Sequence, residues 1–333
     1  MPGPATRAVA GLLARLLRLA GWVVVAGLGL LAVIRVLAPD VRSPALVGSF
    51  GLGALPFLGA LPVGAVALVR RHLRLGLAAL AVAAAALPTG LPELAARTSL
   101  PVAARHAPTI RVLSWNLYFG NTDASSIERV VAEADADLVV LQEVSGTNLP
   151  LLRRSPILAA YPHQVVSAVP AAFGSGIWSR LPLDGAKEFD LDGLPMTRAL
   201  VRTPAGPVRL INVHALSPIA DGGPATWARQ MRSLGEEARR PGPPVLLAGD
   251  FNATWGHRPF RRLLDAGLDD AAAALGRPWT PTWRAGGRLP PTLRLDHVLT
   301  GPGLVATSYA TGPAAGSDHR SIVVDVTFTA PAP

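Results

Sequence analysis

Six short segments between Ser114 and His319 each end a hydrophobic run with residues able to hold a metal ion, a phosphate or a proton. In chain order they are Ser-Trp-Asn at Asn116, Leu-Gln-Glu at Glu143, Asn-Val-His at His214, Gly-Asp-Phe-Asn at Asp250 and Asn252, Leu-Asp-His at Asp296, and Ser-Asp-His at Asp318 and His319. A glutamate behind a run as apolar as Leu-Val-Val-Leu-Gln must be paired or bind a cation if it is buried, since an isolated buried carboxylate is costly. Alone it reads equally as a strand-end residue facing water. Asp250 and Asn252 stand two apart and face one way if the chain is extended. An aspartate there can orient or deprotonate water, and an asparagine can hold phosphate through its amide. Asx-turns use the same residue types at strand ends, but they do not explain why such pairings recur at the other strand ends. His319 supplies an imidazole that titrates near neutrality, and Asp296 is placed to accept its second N–H. His214 can donate to a phosphoryl oxygen or protonate a leaving group; its bland alternative is a buried histidine satisfied by backbone. Oxygen-rich ligands favour Mg²⁺ or Mn²⁺ over zinc. Together these residues describe metal-assisted hydrolysis of a phosphoester. His297 points away from that set by alternation, and His72, His106, His163 and His257 have no comparable setting.

The elements that must carry these residues are short. From Thr109 onward, β-type runs alternate with Gly, Pro and Asp: 110–115, 138–142, 175–179, 208–213, 245–248, 295–299 and 321–328. Several are continuously apolar, as for strands buried on both faces. Helical stretches are expected at 127–134, 225–238 and 259–274. Strands flanked by helices predict an α/β fold, a four-layered sandwich of two packed mixed sheets with helices outside. The chain shows no internal repeat.

The first 92 residues are different. Residues 43–69 contain no charge, and 19–34 and 75–92 are also uncharged, so each is near or above the ~20 residues a membrane helix needs. The reading is an N-terminal anchor over 1–92 with spans at 17–38, 44–69 and 73–92, a linker at 93–108 and a catalytic domain at 109–329. A cleaved signal peptide is the rival reading of the first span, but it leaves the second uncharged run unexplained. Residues 1–105 carry 10 basic and 2 acidic residues, whereas 106–333 carry 21 and 20. The net charge of +9 therefore belongs to the anchor, and the catalytic part lacks the basic excess of a polyanion-binding face. Arg7, Arg15 and Arg18, and then Arg70, Arg71 and Arg74, go to the cytoplasm by the positive-inside rule. Three crossings put the catalytic domain outside a multi-pass cell-membrane protein, and two would keep it inside. There is no cysteine, which removes thiol catalysis and disulfides.

With these residues in place, 109–329 resembles the endonuclease/exonuclease/phosphatase superfamily, which includes DNase I-like nucleases, inositol-polyphosphate phosphatases and neutral sphingomyelinases. Gly-Ile-Trp-Ser-Arg at 176–180 and Arg-Leu-Asp-His-Val at 294–298 extend the likeness. The resemblance implies that Asn116 and Glu143 are metal-site residues, Glu143 a direct Mg²⁺ ligand, and Asp318 a later metal-associated aspartate. It implies Asp250 as the residue activating water, Asn252 and His214 as phosphate contacts, and Asp296 as the partner of His319. Two departures stand out. Tyr118 occupies a position where some nucleases carry an acid, and no glutamate is evident as a partner for His214. The membrane-anchored architecture is similar to actinobacterial members linked to glycopeptide resistance. The substrate expected is a lipid or polyprenyl (pyro)phosphate headgroup at the bilayer, with DNA or RNA as the alternative and an inactive scaffold as a minor one. The lipid bilayer is the expected partner, with no obligate protein partner inferred. Residues 254–294, with Trp255, Trp279 and Trp283, are the expected specificity segment.

Overall fold

In a computed structural model the described residues are 3–37, 42–85, 87, 104, 107–169, 172–284 and 292–329. They fall into two compact units, Met1–Pro92 and Glu93–Pro333. The N-terminal unit is helical. Helix α1, Pro4–Leu37, begins well before the expected residue 17 and is long and apolar enough to cross a membrane. The expected span 44–69 is broken. It forms α2 (Pro44–Gly51), α3 (Leu55–Leu58) and α4 (Ala60–Val69), with a bend of 72° at the break. Gly53 lies there at φ +61°, a left-handed conformation that ends a helix cheaply only in glycine. Helix α5, Leu73–Ala84, has 12 residues, or ~18 Å of rise against a hydrocarbon core of about 30 Å. The expected third span is thus short in its described part, and 88–92 lie outside the described residues. Among the described residues one helix meets the length of a span and the bent pair would make a second; three full spans are not seen there.

The second unit is the expected two-sheet sandwich. One sheet runs in the order β11 (Leu304–Thr311), β12 (Ile322–Phe328), β1 (Thr109–Asn116), β2 (Leu138–Gln142), β4 (Ser175–Ser179), β3 (His163–Ser167). The other runs β5 (Leu183–Leu191), β6 (Leu194–Thr203), β7 (Gly206–His214), β8 (Val245–Asp250), β10 (Asp296–Thr300), β9 (Asp269–Asp270). Each sheet has a parallel pair, β1–β2 and β7–β8, among antiparallel neighbours. Helix α6, Ala124–Ala134, covers the outer face of the first sheet, burying Ile127, Val130 and Val131 with Leu113, Trp115 and Leu141. Asp123 caps it by accepting from the Ser126 N–H. A short helix α7, Leu149–Arg154, follows β2. Helix α8, Gly223–Arg239, lies on the second sheet, where Arg209 of β7 donates to the Glu237 carbonyl and the Trp227 indole to the Phe251 carbonyl.

Alternation along the strands decides which residues meet between the sheets. Ile110 and Val112, Leu138 and Val140, Val208 and Leu210, Leu246 and Ala248, and Val298 form one core, the Ile, Val and Leu side chains each worth roughly 1.5–3 kcal/mol on burial. Extending the same parity points Asn116, Gln142, Asn212, His214, Asp250 and Asp296 inward at one end of the sandwich.

The expected helix 259–274 does not form as one piece. It ends early as α9, Arg258–Leu264, because Gly267 takes φ +88° and Asp269–Asp270 pair with β10. A second short helix α10, Ala271–Ala274, then starts on the Asp270 cap.

Candidate active site

Register brings three of the expected residues into one row. His214 is the partner of Asp250 across the parallel β7–β8 pair, and Asp296 is its partner across the antiparallel β8–β10 pair. On the facing sheet, Asn116 pairs with Gln142, and Glu143 follows at once. Alternation would send Glu143 outward. Its backbone instead takes φ +58°, and the carboxylate turns in to accept from Asn116 Nδ2 at 3.0 Å. Asn252 and Tyr118 share this left-handed conformation, at φ +47° and +63°. Such residues cost on the order of 1–3 kcal/mol each and persist where surrounding structure holds them. The bracing is visible. Asn148, fully buried, donates to the Glu143 carbonyl (2.9 Å) and accepts from the Ser145 N–H (2.9 Å). The Phe119 N–H donates to Glu143 Oε2 (2.7 Å) and the Tyr118 N–H to Asn116 Oδ1 (3.0 Å).

Asp250 is 1 % exposed. Its Oδ1 accepts from the Asn252 N–H (2.8 Å) and its Oδ2 from Asn116 Nδ2 (3.1 Å). The Asx-turn is therefore real, and it is also what fixes the carboxylate. Gly249 makes the approach possible: at φ +148°, a Cβ would lie 2.0 Å from the Val213 carbonyl oxygen. His319 Nδ1 is 2.8 Å from Asp296 Oδ2, and His319 Nε2 is 3.7 Å from Asp250 Oδ2. His214 Nε2 lies 4.0 Å from both Glu143 Oε1 and Asp250 Oδ2, and its ring tilts against Phe173.

Burial pushes the Glu143 and Asp250 carboxyls above their ordinary range. Burial on its own would lower His319, but Asp296 and Asp250 reverse that and push the ring up to about 10. Burial lowers His214, and no hydrogen-bonded acid offsets it. The two imidazoles are thus driven apart, one cationic and one neutral at neutral pH.

Asp318 is half-buried; its Oδ2 accepts from the Trp283 indole N–H (3.1 Å). Asn252 Nδ2 donates to the Ala215 carbonyl (2.9 Å). All eight expected residues therefore converge on one end of the sandwich. His297 takes the other face, as alternation requires, with Nδ1 2.8 Å from Asp270 Oδ2 and Nε2 3.0 Å from the Ala253 carbonyl. Of the expected specificity segment, Trp283 is built into the site wall, Trp279 is exposed, and 285–291 lie outside the described residues.

Several contributors escaped the sequence reading. Below the carboxylates, Gln142 Nε2 donates to Asn212 Oδ1 (2.8 Å), and Asn212 Nδ2 donates to the carbonyls of Leu141 and Gly176. This fully buried layer ties the two sheets together beneath the site. Both residues sit inside the quoted segments Leu-Gln-Glu and Asn-Val-His, in the inward register of their strands, which is the signal available. Asn148 in Gly-Thr-Asn reads as an ordinary turn residue and gives none.

The sequence profile described as "Endonuclease/Exonuclease/phosphatase family" matches residues 113–319. The chain belongs to this family. Family members are phosphodiesterases, phosphatases or nucleases, so the chain is a phosphoric-ester hydrolase of a class that is generally dependent on divalent metal. Solved structures agree in fold. An endonuclease/exonuclease/phosphatase from Beutenbergia cavernae is 21 % identical over 66 % of this chain and 72 % of its own, with a TM-score of 0.52. Humanized D. rerio TDP2 is 19 % identical over 66 % and 99 %, with a TM-score of 0.56. The 3' phosphatase NExo from Neisseria, bound to a product DNA hairpin, is 20 % identical over 65 % and 98 %, with a TM-score of 0.51. Among curated proteins none matches.

Proposed function

We propose that this family member is a membrane-anchored, Mg²⁺- or Mn²⁺-dependent hydrolase whose own substrate is a lipid-linked or polyprenyl (pyro)phosphate. The observation that carries the chemistry is the fixed carboxylate of Asp250, held on both oxygens and 3.7 Å from a histidine that Asp296 keeps charged.

The residues present fit a divalent cation. Asp250 is a buried carboxylate and Glu143 a largely buried one, neither has a Lys or Arg partner among the described residues, and Asp296 Oδ1 is buried without a hydrogen bond. An excess of buried acid of this kind calls for a cation. Asp250, Asp296 and His319 bring ligand atoms within 4.8 Å of one another, but they already engage each other as a proton-handling group. Glu143 and Asp318, both partly exposed, are the residues that would hold the ion. Asn116, expected beside them as a ligand, braces Glu143 and Asp250 through its amide N–H groups, with its oxygen toward the Tyr118 N–H. When bound, the ion supplies Lewis-acid polarisation of a phosphoryl oxygen.

The protein's part follows from its hydrogen bonds. Asp250 Oδ2 takes a proton from the attacking water as it adds in line to phosphorus. The Asn252 N–H and Asn116 stop the carboxylate rotating away. The His319 imidazolium, its Nδ1–H held by Asp296, turns Nε2–H toward the developing charge on phosphorus. Neutral His214 and the second N–H of the Asn252 amide hold further phosphoryl oxygens.

Three observations support a lipid-linked substrate. The N-terminal unit is apolar, with a helix of spanning length. Residues 106–333 are nearly neutral, with 21 basic and 20 acidic residues. Tyr118 and Phe119, whose N–H groups hold the site, leave their rings 40 % exposed beside it. With three crossings the positive-inside rule puts the catalytic unit outside the cytoplasm; with two it faces inward. The second reading is a nuclease, favoured by the DNA product in NExo and in the D. rerio TDP2 complex with single-strand DNA product. Phosphate release by the detergent-purified protein with Mg²⁺ separates the two. Turnover of polyprenyl pyrophosphate without nicking of plasmid DNA supports the lipid reading; the reverse sinks it.

A further inference from the structure

The N-terminal unit holds a cavity of about 530 Å³ lined by Arg15, Arg18, Trp22, Arg71, His72 and Arg74, together with Leu19, Leu73 and Leu75. Its construction follows from helix periodicity. Arg15, Arg18, Leu19 and Trp22 stand at i, i+3, i+4 and i+7 on α1 and so share one face. The α4–α5 turn brings Arg71, His72 and Arg74 to that face. The helices are pinned together just above, where a Cβ on Gly21 would meet Leu75 Cδ2 at 3.1 Å and where Val25, Ala67, Leu75 and Ala79 are buried together.

Among the described residues this basic group has no carboxylate counter-charge. The described residues of the unit contain no Asp or Glu at all. Arg35, at the far end of α1, donates to the Gly53 carbonyl at 2.8 Å, whereas Arg15, Arg18, Arg71 and Arg74 make no ion pair among the described residues. Like charges gathered around a cavity repel one another unless an anion sits among them. The lining is also mixed, with leucines and a 40 % exposed Trp22 beside the arginines. A free inorganic anion would leave the apolar lining unused, and an amphipathic one engages both kinds of residue.

We propose that this cavity is a binding site for the phosphate headgroup of an anionic phospholipid, with its glycerol and upper acyl chain along Leu19, Leu73 and Leu75. Basic pockets between membrane helices on the cytoplasmic side bind lipid headgroups in this way, and the same arginines orient the unit by the positive-inside rule. The site shares no residue with the catalytic set. It rests on the anchor reading given above.

The test is native mass spectrometry of the full-length protein released from detergent, titrated with phosphatidylglycerol, phosphatidylcholine or inorganic phosphate. One phosphatidylglycerol adduct is expected to survive at concentrations where phosphatidylcholine is lost. The double variant Arg18→Gln/Arg74→Gln should weaken that adduct on the order of tenfold or more, with Mg²⁺-dependent turnover in detergent unchanged. If that variant misfolds, Arg18→Lys/Arg74→Lys, which keeps the charge, should retain the adduct. Equal retention of both lipids overturns the proposal, as does an undiminished adduct in the glutamine variant or displacement of the lipid by equimolar phosphate. Flotation with phosphatidylcholine vesicles tests the anchor by itself: a protein that stays at the bottom of the gradient removes the anchor and this site with it.

Discussion

Asp250 and His319 show how environment assigns roles to two neighbouring groups. Burial raises the Asp250 carboxyl, so in the metal-free protein its charge opposes folding. Asp250→Asn keeps the shape and removes that charge. Turnover should fall about 10²- to 10⁴-fold, the usual range for a general base, while the thermal midpoint of the metal-free protein stays level or rises; a large loss of stability would contradict the burial argument. Asp296→Asn acts on the other partner. It removes the largest influence raising His319, so the ring pKa should drop from about 10. A pH–rate profile would then show the alkaline limb moving to lower pH. An unmoved limb would mean that His319 is not the group being read. The polar types and their strand-end positions were legible in the sequence. Glu143 was legible as a residue but not in its orientation, because alternation predicts the wrong face and only its left-handed backbone, braced by Asn148, brings it in.

At the level of elements, the seven strands expected from apolar runs are all present, and four of the five missed share a physical cause. β3, β5, β9 and β11 are the four sheet edges. Edge strands lie partly in water, so polar or charged residues interrupt the hydrophobic run; β5 reads Leu-Asp-Gly-Ala-Lys-Glu-Phe-Asp-Leu and β11 Leu-Val-Ala-Thr-Ser-Tyr-Ala-Thr. β6, missed too, is the hairpin partner of that strand. The helix expected to run to residue 274 failed because Asp270 is committed elsewhere. Burial would raise its carboxyl, but Arg294 at 2.8 Å and His297 hold it well below the usual range. The sign is that of a depressed acid: its stabilisation is present above the unfolded pKa of about 3.9 and is lost as pH falls below it. Thermal midpoints between about pH 5 and pH 3 should therefore fall less steeply in Asp270→Asn than in the parent, and parallel slopes would argue against the pairing. Gly249→Ala, by contrast, should destabilise at every pH by ~2 kcal/mol or more, from the left-handed φ and the Val213 carbonyl together. Urea unfolding measures it, and a neutral substitution would refute the close approach.

For the whole molecule, charge and hydropathy divide the chain at the same place as the structure does. The basic excess and the apolar helices belong to the first unit, and the hydrolase fold belongs to the second. The number of spans was the least legible feature, because composition registers apolar length but not the bend at 52–54 that breaks one run. If the nearly neutral catalytic unit does bind nucleic acid, affinity should depend only weakly on salt, since few phosphates would be neutralised. A steep slope of log affinity against log salt would point instead to a basic groove. The central claim is that water, activated by Asp250 beside a divalent ion, attacks phosphorus. The most direct measurement is turnover of polyprenyl pyrophosphate by the full-length protein in ¹⁸O-water, followed by mass spectrometry of both products. The account predicts ¹⁸O in the released phosphate, dependence on Mg²⁺ or Mn²⁺, and loss of the labelled product in Asp250→Asn. Label in the polyprenyl alcohol, or undiminished label with Asp250→Asn, would contradict it.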